Sequence, residues 1–248
     1  MNRNIIFSDI DGIIWPEVPT LFSIASNIYP KRKKLKVNML NTYTVKSEQN
    51  IPPLLSQQEV KNIFKQYESL RIFREPLENL NKHLQKHFKK KFNIDTSDFK
   101  SNIEFLKENK ENLTFFTSRK NYQKDKLFKD TKNFLKFYNL NNDLFFKNKD
   151  KNKGDIITAK IGKRSYDRIN IIEDNLLHML RIFKALKEEE INNFRFIIIN
   201  SPWNMTKYMK KRYNKADNIQ KVKKALKKLK KAKRIIRVNR LVELENLR

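Results

Sequence analysis

The chain contains no cysteine, which excludes disulfides, thiolate nucleophiles and thiolate zinc sites and fits a reducing compartment. No apolar run is long enough to span a bilayer. The N-terminal apolar stretch is interrupted at once by Asp9 and Asp11, unlike a signal peptide. These absences lead to the expectation of a soluble, cytoplasmic protein. Acidic residues are also scarce. Asp and Glu total 27 against 55 Lys and Arg, for a formal charge of +28. Such an excess attracts phosphate-bearing partners, either a steered substrate or a polynucleotide. It is equally what an AT-rich coding bias toward Lys, Asn, Ile and Phe produces, so charge alone names no substrate. At 248 residues the chain suits one α/β domain with an inserted cap better than two independent domains.

Against this background the stretch from Asn4 to Ile14 stands out. Ile5-Ile6-Phe7-Ser8 is an apolar run that leads into Asp9-Ile10-Asp11-Gly12. A short β-branched and aromatic run closed by a turn former reads as a buried strand of a parallel sheet. The carboxylates then fall at its C-terminal end, where open α/β sheets bind ligands, and Gly12 lets the backbone turn away. Residues two apart on a strand share a side, so Asp9 and Asp11 can address one site. Two neighbouring carboxylates repel unless a cation or a shared proton relieves them. An oxygen-ligand cation, most simply magnesium, answers that need. The plain alternative is that they end a strand and start a turn.

Downstream, residues 15–73 leave the strand pattern and read as a mixed cap inserted after the first strand. Pro16, Pro19 and Pro30 punctuate it, the Lys31-Arg32-Lys33-Lys34 run is a solvated edge or a phosphate-facing rim, and Leu35 to Val45 suggests a β-hairpin. Ser56 starts a helix carrying Val60, Ile63, Phe64 and Tyr67 at helical spacing. Pro76 opens another with Leu77, Leu80, Leu84 and Phe88. His83 and His87 lie four apart on it and read as helix surface, since no carboxylate completes a hydrolytic zinc motif. Asp95-Thr96-Ser97 caps a helix faced by Phe99, Ile103, Phe105 and Leu106.

Leu113 to Phe116 is the next strand, ending in Thr117-Ser118-Arg119. A hydroxyl and backbone N–H groups at a strand-to-helix junction suit a phosphoryl oxygen, and Arg119 could add a bidentate contact. Tyr122 to Leu140 reads as a helix, Leu144 to Phe146 as a strand, and Gly154 to Ile161 as a helix. Ile169 to Ile172 is a strand that ends in Glu173-Asp174, and Phe194 to Ile199 is another. In the tail, Ile219, Val222, Leu226, Leu229, Ala232 and Ile236 recur at three and four residues among lysines, as in a basic amphipathic helix. It would pack on the parent domain, grip nucleic acid or touch an anionic membrane.

The run ending Asp9-Ile10-Asp11-Gly12 resembles the first motif of the haloacid dehalogenase-like phosphatases. Leu113 to Arg119 resembles the second, an isolated lysine the third, and Asn170 to Asn175 the fourth. The loop from Asn200 to Asn204 resembles the closing segment of nucleotidase-like members. The resemblance implies a three-layer, doubly wound, mostly parallel α/β sheet. Residues 1–14 and 74–204 would form the core, 15–73 the cap, and 205–248 a basic helical extension. Lys153 is the favoured lysine because it precedes a helix and leaves room for one helix and one strand before Asp174; Lys151 and Lys163 are the alternatives. Adjacent carboxylates point opposite ways along a strand. One of the two would then ligate metal directly while the other works through water or orients the lysine; Asp174 is the choice for ligand, with Glu173 and Asn175 behind it.

What the resemblance implies chemically is an aspartyl-phosphate mechanism. Asp9 would be the nucleophile and Asp11 the acid and base. Magnesium would be held by Asp9, the Asp11 main-chain carbonyl and Asp174, while Thr117, Ser118, Arg119 and Lys153 bind phosphate. A phosphomonoesterase on a nucleotide or a nucleic-acid end phosphate is one reading. The other is a non-catalytic nucleic-acid-binding protein that uses its cap and basic tail. Oligomeric state is not legible.

Overall fold

The computed structural model describes residues 4–30, 57–119, 126–146, 153–162, 166–186, 193–200, 227, 230 and 235–247. Strands β1 (Asn4–Ser8), β2 (Leu113–Thr117), β3 (Asp143–Phe146), β4 (Arg168–Glu173), β5 (Phe194–Ile199) and β6 (Ile235–Val238) form one sheet in the order β3-β2-β1-β4-β5-β6. Every neighbouring pair is parallel. This is a doubly wound order, and its direction reverses between β1 and β4, where such sheets open a crevice at the strand C-termini.

The strands are apolar on both sides because both sides are covered. Ile6, Leu113, Phe115, Ile172, Ile197 and Ile199 belong to a core shared with α1 (Glu17–Ile28), α2 (Gln57–Ser69), α3 (Leu80–Phe88), α4 (Ser97–Glu108) and α5 (Lys126–Phe137). Phe7, Phe116, Ile169, Ile171, Phe196 and Ile198 face a second core with α6 (Lys153–Ile161) and α7 (Leu176–Ala185). Alternation along each strand sorts the residues between these layers.

The ends of the inserted segment that are described, α1 and α2, are helices that pack on one another. Val18, Leu21, Ile24, Ile63, Tyr67 and Phe73 are buried there. Trp15, Ile63, Tyr67 and Phe73 enter the same hydrophobic cluster as the sheet. Pro16 precedes α1 and Thr20 Oγ1 bonds back to the Pro16 carbonyl at 2.6 Å, which secures the first turn. The expected hairpin at 35–45 lies outside the described residues. So do the tail positions Ile219, Val222, Leu226, Leu229 and Ala232, and the loop at 201–204.

One expectation is corrected. Residues 205–248 are not a helix throughout: Ile235–Val238 is the sixth strand, paired with β5, and Leu241–Leu247 is a 3-10 turn. Ile236 fits the spacing of a helical stripe, yet Ile235, Ile236 and Val238 are β-branched, and an open edge at β5 offers them a ladder that outweighs their spacing from Ala232. Asn102 of α4 locks this end of the chain. Its amide donates to the Ile13 carbonyl at 2.9 Å and accepts from Leu241 N–H at 2.8 Å. Asn102→Ala leaves both buried backbone groups unpaired, which costs about 1–3 kcal/mol for each. A urea titration should show the midpoint falling with little change in slope.

Candidate active site

Side chains from four elements meet where β1 and β4 end. The ladder runs one residue past β1, with Asp9 N–H bonded to the Ile172 carbonyl at 3.1 Å. The chain then coils tightly. The N–H groups of Ile13, Ile14 and Trp15 all point at the Ile10 carbonyl, and Gly12 N–H reaches the Trp15 carbonyl at 2.8 Å. Gly12 sits at φ +81°, and a Cβ there would lie 2.0 Å from Asp174 Oδ2. A residue with a side chain would meet both a strained backbone and a carboxylate. Gly12→Ala should therefore displace Asp174 and reduce any metal-dependent activity at least about tenfold, in line with the cost of misplacing a site by a fraction of an ångström.

The strand pleat decides which way each carboxylate points. Asp9 and Glu173 turn toward α6, where Lys153 heads the helix. Its Nζ lies 2.6 Å from Asp9 Oδ2 and also contacts Glu173 Oε1 and the face of Phe116. Asp174 turns the other way, against Gly12. The two acids at the end of β4 thus do different work, one gripping the lysine and one facing the Asp9–Gly12 turn. Asp9 Oδ1 accepts the Ile10 N–H at 2.8 Å. Thr117, at the end of β2, is fully buried and its Oγ1 accepts Arg119 N–H at 3.2 Å. The Arg119 guanidinium lies on the Asp11 carboxylate, through Nε at 3.1 and 2.9 Å and through Nη2.

These groups sit almost out of water. Burial drives the Asp9 pKa well up, Lys153 opposes it, and the charges of Glu173, Asp11 and Asp174 add to the rise. Burial works against the Glu173 carboxylate too, but Lys153 and His178 hold its pKa down at about 2. Lys153 stays protonated because Asp9 and Glu173 outweigh its own desolvation. Glu17, the first residue of α1, is pushed to about 8, first by burial and then by Asp11, with Arg119 opposing.

The donor set fits a hard divalent cation. Asp9 and Glu173 contact Lys153, Asp11 contacts Arg119, and the charge of Asp174 reaches Asp9, so carboxylates outnumber these two cations and supply hard oxygen donors. Asp9, Glu173 and His178 also place ligand atoms within 4.8 Å of one another. There the Lys153 ammonium already bridges Asp9 and Glu173, so that group holds its own positive charge. Asp174, whose charge also raises the Asp9 pKa, is a further oxygen donor at this end of the sheet.

Asp9, Asp11, Thr117, Arg119, Lys153, Glu173 and Asp174 are all brought to this one end of the sheet. Ser118 is exposed, and no capping role for it falls within the described residues. Asn175 N–H donates to Glu173 Oε2 at 3.3 Å. Lys151 and Lys163 lie outside the described residues. Sequence reasoning missed His178, whose Nδ1 is 3.5 Å from Glu173 Oε1; it stands one helical turn beyond Asp174, a spacing that could have flagged it. It also missed Glu17 and the aromatic wall of Trp15, Tyr67 and Phe73, which only tertiary packing assembles.

No family model and no curated protein sequence matches the chain. Among solved structures it is similar to a hydrolase described as a haloacid dehalogenase-like family protein from Streptococcus pneumoniae. The TM-score is 0.45 and the identity 10%, covering 86% of this chain and 92% of that one. Among the described residues, no helix is long and apolar enough to cross a membrane.

Proposed function

We propose that the chain is a magnesium-dependent phosphomonoesterase of the haloacid dehalogenase type, acting through an aspartyl-phosphate on Asp9. The observation that carries this reading is the Lys153 ammonium bridging Asp9 and Glu173 at the switch point of the sheet, with Asp11 two residues on and Thr117 at the next strand end. A buried carboxylate beside a fixed cation and a hydroxyl is what in-line phosphoryl transfer requires.

An oxygen of Asp9 attacks phosphorus as the bond to the leaving oxygen breaks, and Asp11, which takes up a proton from solvent before this step, gives that oxygen its proton. Asp11, now a carboxylate, takes a proton from water, the water oxygen attacks phosphorus, and the bond to Asp9 breaks to release phosphate. Lys153 and Thr117 hold the phosphoryl oxygens throughout. Glu173 keeps Lys153 in place. Magnesium bound by Asp9, Asp174 and the Asp11 carbonyl would supply the charge that keeps Asp9 ionised and screens it from phosphate.

The substrate we favour is a nucleotide or the phosphorylated end of a nucleic acid, on the strength of the +28 charge and the nucleotidase-like segment at 200–204. The test is phosphate release from nucleotides, sugar phosphates and end-phosphorylated oligonucleotides, with magnesium or with chelator. Magnesium-dependent release ranked toward nucleotides or oligonucleotides is expected. No release from any of them by folded protein would overturn the reading and favour nucleic-acid binding through the basic tail.

A further inference from the structure

Asp11 does not face the site alone. We propose that Arg119 is a positioning residue for the Asp11 carboxylate, and that Phe73, from the inserted segment, and Thr131, on α5, hold Arg119 to that task. The inference rests on the phosphatase reading, in which Asp11 carries the proton to and from the reacting oxygens.

The contacts close into a ring. Arg119 grips Asp11 through Nε and Nη2 and donates from Nη1 to Thr131 Oγ1 at 2.9 Å. The Thr131 hydroxyl spends its own proton on the Leu127 carbonyl at 2.7 Å, so its lone pairs are turned to the guanidinium. The Phe73 ring lies under the guanidinium, 3.8 Å from centroid to Cζ, at cation–π distance and desolvated. Phe73 packs on Trp15 at 4.9 Å and on Tyr67 at 5.2 Å, and Trp15 Nε1 donates to the Tyr67 hydroxyl at 2.6 Å. Trp15 belongs to the same turn as Asp11 and is bridged to it. The ring therefore runs from the Asp11 backbone through Trp15, Phe73 and Arg119 back to the Asp11 carboxylate.

The geometry argues against Arg119 as a primary phosphate ligand. All three of its guanidinium nitrogens are already engaged, Nε and Nη2 on Asp11 and Nη1 on Thr131. A two-pronged contact fixes the plane of a carboxylate as well as its place. An acid that must serve first the leaving oxygen and then water gains from such a fixed aim. Because Phe73 and Tyr67 come from the inserted segment, the packing of that segment bears directly on Asp11.

The experiment compares wild type with Arg119→Lys, Phe73→Leu and Thr131→Val on phosphate monoesters ranging from nitrophenyl to alkyl leaving groups. Since kcat/KM reads the first transfer, it isolates proton donation to the leaving oxygen. For alkyl esters kcat/KM should fall about ten- to a hundredfold in Arg119→Lys and less in the other two. Nitrophenyl esters, whose leaving oxygen needs no proton, should change much less, and competitive inhibition by inorganic phosphate should be unchanged. A uniform fall across leaving groups, or weakened phosphate inhibition, would overturn the proposal in favour of a structural or phosphate-binding role. Crystal structures of Phe73→Leu and Thr131→Val give an arm independent of turnover. Arg119 should leave Asp11 or split between two positions, and an undisturbed pair in both would overturn the proposal. If wild type hydrolyses none of the esters, the phosphatase reading fails, and the crystal structures still decide the positioning.

Discussion

Asp9→Asn is expected to lower phosphate release by about three orders of magnitude or more, because the amide that replaces the carboxylate cannot attack phosphorus. The protein should still fold. The Asn side-chain oxygen can accept the Ile10 N–H that Asp9 Oδ1 accepts now. The substitution also removes one negative charge from a group in which Glu173, Asp11 and Asp174 already raise the Asp9 pKa. The checks are a cooperative thermal melt, lowered by the loss of the Lys153–Asp9 pair but preserved because Lys153 keeps Glu173, and an initial-rate assay on the best substrate of the panel.

Lys153→Met is expected to fail on both counts. Lys153 is the cation shared by two carboxylates that are almost out of water, and its removal strands both. Breaking a buried ion pair by removing one partner costs about 3–5 kcal/mol. Loss of the ammonium that faces the phosphoryl oxygens should also cost about a hundredfold or more in rate. The stability deficit has a pH signature. In wild type the Glu173 pKa lies at about 2 against an ordinary 4.5, so its contribution is complete above the ordinary value and fades as pH falls toward 2. In the variant only His178 is left to oppose the burial of that carboxylate. The gap in urea midpoint between the two proteins should be widest near neutrality and should narrow below about pH 4.5. A gap that stays constant with pH would show that Lys153 does not stabilise the Glu173 carboxylate.

What was readable in the sequence was whatever chain-local pattern decides. The runs at Ile5 to Ser8, Leu113 to Phe116, Ile169 to Ile172 and Phe194 to Ile199 are strands because both of their faces are buried, and continuous apolarity records that. The acidic ends followed, since a carboxylate cannot lie inside such a run. The opposed directions of Glu173 and Asp174 were also legible, because the pleat is a property of the strand alone. The misreading of Ile236 shows the limit. A β-branched stretch preceded by lysines at helical spacing satisfies two periodicities, and only the free edge of β5 decides between them. The partner of Arg119 was invisible for a similar reason. Asp11, Phe73, Thr131 and Arg119 lie on four separate stretches, and nothing in their spacing brings them together.

The central claim is that phosphate passes through Asp9. It is tested most directly in Asp11→Asn, which still accepts a phosphoryl group from a nitrophenyl ester but lacks the base for the second step. The variant would be mixed with a radiolabelled nitrophenyl phosphate, quenched in acid and digested. The account predicts label on the peptide containing Asp9, lost on treatment with hydroxylamine as an acyl phosphate would be. Label on any other residue, or turnover with no labelled protein at any quench time, would contradict it.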